Sequence, residues 1–89
     1  MDYNKRATII GEGEVVEIGN GWAFWIGMIH AANYGEEKLR LAKGRYKEDP
    51  AKDEVPISQA NKINFKRRSD VETVIDLLQR HVNDLPAEV

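Results

Sequence analysis

Asn61-Lys-Ile-Asn-Phe-Lys-Arg-Arg-Ser-Asp-Val-Glu-Thr-Val-Ile-Asp-Leu-Leu-Gln-Arg-His-Val-Asn-Asp-Leu85 sets a short strand directly before a helix, and this junction organises the chain. Ser69 followed three residues later by Glu72 has the form of a capping box, in which each side chain satisfies an orphan backbone donor. Asp70 and Glu72 add negative charge where the helix dipole favours it. Val71, Val74, Ile75, Leu78, Val82 and Leu85 recur at three- and four-residue steps, which is one helical face, and Leu77 widens it. Asn83 and Pro86 mark the end. That stripe either covers the sheet of its own chain or meets a second copy, through Val74, Leu78, His81, Val82 and Leu85.

Upstream, Leu39-Arg-Leu-Ala-Lys-Gly-Arg-Tyr-Lys47 reads as a basic strand, followed by an acidic, proline-bounded loop from Glu48 to Pro56. Ala7 to Ile18 is rich in strand-favouring residues, with Gly11-Glu-Gly13 predicting a bulge. That glycine pair lacks the further glycine and helix of a dinucleotide fingerprint. Gly19-Asn-Gly21 predicts a tight hairpin, because such turns require positive φ. The next strand runs from Trp22 to about Ala32, and Asn33-Tyr-Gly-Glu-Glu37 turns the chain back. The expected fold is therefore α+β: a curved antiparallel four-stranded meander followed by one C-terminal helix. Residues 1–89 form a single domain, with residues 1–6 expected to fray.

Alternation divides the sheet into two faces. Trp22, Phe24, Ile26 and Met28 are large and apolar and are expected beneath the helix, with Leu39, Leu41, Ile63 and Phe65. The opposite face would then carry Trp25, Arg40, Tyr46, Lys62, Asn64 and Lys66 among small residues that let a ligand approach. Lys43, Arg45 and Lys47 share the leucines' parity but lie further along, projecting from the strand end. Cations that track phosphates, combined with rings on which bases stack, form the pattern of single-strand binding with little sequence preference. Trp25 and Tyr46 taken singly read first as packed or partly exposed sheet residues.

Charge is segregated in support of this. The chain has 89 residues and a net charge of −2, yet Lys38 to Arg68 holds ten Lys or Arg against four Asp or Glu. The remainder is strongly acidic, so a positive face can exist on an acidic protein. The plainer reading is an ordinary solvated surface. At this size the buried fraction is only about 60–65%, so dimerisation would add useful stability. The sequence has no cysteine, which removes disulfides, thiolate metal sites and thiol nucleophiles. No apolar run approaches a membrane span, and the N-terminal residues lack a signal-peptide core. An intracellular location is expected: the host cytoplasm for a bacterial or bacteriophage protein, the nucleus for a eukaryotic one.

Catalysis finds little footing in the sequence. His30 and His81 sit in no recognised metal spacing, and Ser58 and Ser69 lack a paired base. Asp76 and Arg80, four apart on the helix, fit a surface ion pair. A non-enzymatic protein without cofactor or metal is expected.

From Leu39 to the helix the chain resembles the transcriptional coactivator family called positive cofactor four, whose order is four strands and a helix. The matching pieces are Arg45-Tyr46 leading into Glu48-Asp-Pro50, a loop ending near Pro56, and Asn61-Lys-Ile-Asn-Phe65 running into the helix, with Ile18-Gly19 as a further match. They cover about half the chain. The resemblance implies a homodimer whose helices meet, whose curved sheets form paired channels, and which binds single-stranded or melted DNA. Roles in transcription, replication, recombination or repair follow, with the corresponding proteins as further partners, and a bacteriophage member suits the small size. Carried over by position, Lys38, Tyr46 or Lys47, and Asn61 or Lys62 are the DNA contacts. The chain departs from the family in a longer middle hairpin from Trp22 to Lys38, in Lys62 where the family has glycine, and in lacking an acidic, serine-rich N-terminal tail. The competing class is a protein-interaction module that docks a polymerase or similar partner through an aromatic patch around Trp25.

Overall fold

The computed structural model describes residues 7–31, 36–59 and 61–88. Among these the chain forms strands β1 (Ala7–Gly19), β2 (Trp22–Ala31), β3 (Glu36–Arg45) and β4 (Asn61–Phe65), then helix α1 (Arg68–His81). The strands make one antiparallel sheet in the order β1-β2-β3-β4, the expected meander with its C-terminal helix. A single 3-10 turn, Val82–Asp84, follows the helix, and Leu85 returns to extended backbone. Of the turn expected over residues 33–37, Glu36 and Glu37 already belong to β3; the rest of that turn, and the fraying expected of residues 1–6, lie outside the described residues.

Local sequence explains the joints. Asn20 and Gly21 take φ of 56° and 82°, as a two-residue hairpin turn demands. At Gly11–Gly13 the register slips, so that Ile10 faces Met28 but Glu14 faces Ile26, which is the expected bulge. Gly13 (φ 70°) must also be a glycine for space, since a Cβ there would lie 2.5 Å from the Trp25 ring.

Parity divides the sheet as read from the sequence, but the cover lies on the other side. Ala23, Trp25, Ile29 and Ala42 are buried, packed by Ile9 and by Val55 and Ile57 from the loop after β3. That loop is a strap across the sheet. Tyr46 bridges to Ile57, Lys47 N–H donates to the Pro56 carbonyl, and at the far edge Ile9 N–H reaches the Asp53 carbonyl. Gly44 gives it room, because a Cβ would run into the Ser58 carbonyl. The strap is pinned on its own side by Lys47 to Glu54 at 2.5 Å.

The helix, expected over the large apolar face, does not cover it. Among the described strands α1 touches β4 alone, and no residue of α1 is buried. Val71 lines a cleft of about 400 Å³ together with Met28, Leu39 and Phe65. The Cα radius of gyration is 14.7 Å, against about 12 Å for a compact chain of this length; α1 stands out as an arm. The capping box also differs. The residue outside the helix is Arg67, extended and without a side-chain cap, while Ser69 lies within the first turn and its carbonyl accepts from Thr73 Oγ1. Two residues separate β4 from α1, so the chain turns at Arg67 and leaves Ser69 no flanking position. Arg67 instead pairs with Asp70 at 3.0 Å, which raises the pKa of its guanidinium.

Candidate nucleic-acid interface

The two faces exchange the roles expected of them. Trp25 is 1% exposed and Arg40 7%, so neither belongs to an open binding surface. Trp25 is the centre of the covered core: its indole lies against Gly13 and Gly27, where a Cβ would come within 2.6 Å of the ring. Arg40 is held by two amide oxygens, Nε to Asn64 Oδ1 at 2.7 Å and Nη1 to Gln59 Oε1 at 2.5 Å. Burial lowers its pKa, but a guanidinium keeps its charge through the biological range. The small residues around Trp25 do admit a close approach, and what approaches is the chain's own strap. An interaction patch centred on Trp25 is closed for the same reason.

The other expected contacts are divided. Tyr46, Lys62, Asn64 and Lys66 are exposed, although Asn64 is engaged with Arg40 and Lys66 reaches Glu36 at 3.2 Å. Lys38 also lies near Glu36, at 3.7 Å. Lys47 is committed to Glu54 within the strap. Hydrogen bonding and charge from Lys66, then the charge of Lys38, hold the Glu36 carboxyl below its ordinary value. The expected Asp76–Arg80 pair forms at 3.0 Å. Of the helix positions suggested for an interface, Leu78, Val82 and Leu85 are exposed, Val74 is half-buried, and His81 bonds Asp84 at 2.8 Å.

Lys43 and Arg45 gain a setting that alternation alone did not supply. The register places Arg45 beside Trp22 and Lys43 beside Phe24. The Arg45 guanidinium lies 5.3 Å from the Trp22 ring centre, and Lys43 Nζ lies 5.9 Å from that of Phe24. Asn61 sits across from Lys43 on β4, so one end of the open face combines two rings, two cations and an amide. Trp22 and Phe24 were not among the candidate contacts read from the sequence, because their size marked them for the core. The signal was available in the register: both rings face the two cations at the end of β3. Among the described residues no three metal-ligating side chains converge, and no helix is long and apolar enough to cross a membrane.

Comparison with family models, with curated proteins and with solved structures finds no match to the chain.

Proposed function

We propose that the protein binds single-stranded DNA with little sequence preference, through the open face at the turn end of the sheet, and that it does so as a homodimer. The observation that carries this is the pairing of Trp22 with Arg45 and Phe24 with Lys43 on one uncovered surface. Each ring offers a face worth about 1–3 kcal/mol per stacked base, and each cation can follow a phosphate. Duplex DNA hides its base faces and gains only the charge contacts. The proposed role is non-enzymatic, in transcription, replication or recombination, as in the positive cofactor four family that the chain resembles.

The second copy is proposed to cover what the first leaves bare. Leu78 (62% exposed) on α1 and Val82 and Leu85 just beyond it are bare, while Ile26 and Met28 lie open on the sheet. Exposed apolar side chains on both helix and sheet support an interaction surface. The same open face also favours a second reading, docking of a polymerase-like protein, because Ile26 and Ile63 are exposed and apolar. Salt separates the two readings. Single-strand binding should weaken with a log–log slope of about −0.7 per neutralised phosphate, whereas apolar docking hardly responds. A fluorescence-anisotropy titration with single- and double-stranded oligonucleotides at two salt concentrations tests this. Equal affinity for both forms, or no binding, rejects the reading; a light-scattering mass of one protomer rejects the dimer.

A further inference from the structure

The binding end of the open face consists of two clefts with a shared wall. One, about 340 Å³, lies among Ile18, Gly19, Trp22, Lys43 and Asn61. The other, about 200 Å³, lies among Phe24, Leu41, Lys43, Asn61 and Ile63. Lys43 and Asn61 line both because they are direct partners on β3 and β4. Each cleft therefore has one ring. The rings are two residues apart on β2, about 6.8 Å at ordinary strand rise. Stacked bases lie about 3.4 Å apart, so a strand placing consecutive bases on Trp22 and Phe24 must open its own stack roughly twofold. Bases separated in this way present bare edges.

Asn61 stands where such an edge arrives. Its side chain is exposed and bonds no partner among the described residues. A side-chain amide sets an acceptor beside a donor, the arrangement that pairs with N6 and N7 of adenine. Lys43, between the clefts, offers charge without an acceptor and suits the phosphate joining the two nucleotides. We propose that the paired clefts form a two-nucleotide subsite in which Trp22 and Phe24 hold consecutive bases and Asn61 reads an adenine edge. This rests on the single-strand reading above and adds one position of base preference to an otherwise indifferent groove.

The test is an anisotropy competition on the full chain between thymidine oligomers of about ten nucleotides and the same oligomers with two central adenines. The adenine form is expected to bind about fivefold tighter or more, with the ratio falling to near one in Asn61→Ala. Tryptophan emission should be quenched on binding and the quench lost in Trp22→Phe, since Trp25 is sealed from the ligand. A ratio that survives in Asn61→Ala reflects purine stacking and overturns the edge reading. A wild-type ratio of one with firm binding overturns the subsite while single-strand binding stands. Failure of every oligomer to bind overturns both.

Discussion

The two faces of this sheet reverse the usual relation between size and burial. The covered face sets the small residues Ala23, Gly27, Ala42 and Gly44 around Trp25, with Ile29 and Arg40 buried beside it, and it is the dry side. The open face carries Trp22, Phe24, Ile26, Met28, Leu39 and Leu41, and the described residues leave most of it uncovered. What decides burial is how closely backbone can approach. Small side chains let the strap lie directly on the sheet, so that Val55 and Ile57 complete a core with Trp25 as its bulk. Large side chains hold neighbouring backbone away. One face thus serves stability within the chain, and the other is the one proposed for recognition.

Paired substitutions test that division most strongly at the tryptophans. Trp25→Ala should cost about 3–5 kcal/mol, a large share of the total stability of a domain this small. Urea denaturation measures it, and a loss under about 1 kcal/mol would mean that the strap holds without its core. Gly44→Ala comes next: its methyl meets the Ser58 carbonyl and hydroxyl, and overpacking of this kind costs about 1–3 kcal/mol. Trp22→Ala should do the opposite, leaving the urea midpoint nearly in place while weakening oligonucleotide binding by about 1–3 kcal/mol. If both tryptophans lowered stability alike, the faces would not be specialised. A smaller effect is expected at Arg45→Ala, which should make the salt slope shallower by about 0.7.

Much of this was legible in the sequence, for a physical reason. Hairpin chemistry at Asn20-Gly21, the glycine bulge, strand parity and helical periodicity are local properties, and each is found where the residues place it, except that the α-helix stops at His81, short of Leu85. Which face the chain covers is a tertiary outcome, and there the rule that large residues lie inside failed. The corrective signal was Val55-Pro-Ile57, two β-branched residues at alternate positions in an otherwise acidic loop. Such a loop cannot leave both in water without reason; it inserts them, and then Trp25 and Arg40 are under it. The capping box failed at a similar point: the Ser69–Glu72 spacing was present, but the tight junction from β4 fixed the helix start at Arg68.

The least effect is expected at Glu36, which shows how far the binding end reaches. Glu36 opens β3 and accepts from Lys66 at the end of β4, so its carboxyl titrates below its ordinary value of 4.5. A lowered folded value means that the contribution to stability is complete above the ordinary value and disappears as pH falls through the lowered one. Glu36→Gln should therefore flatten a slight acid-side decline in stability and change nothing near neutrality beyond the loss of an exposed ion pair. It also releases Lys66 from Glu36. Lys66 lies five residues along from Asn61, about 17 Å at strand rise, and charges are screened within about 8 Å at physiological salt. Oligonucleotide affinity should accordingly change by less than about twofold. A larger gain, measured by anisotropy at that ionic strength, would mean that the bound strand runs the full length of β4 to the helix, and that the open face is one continuous track instead of a binding end and an assembly end.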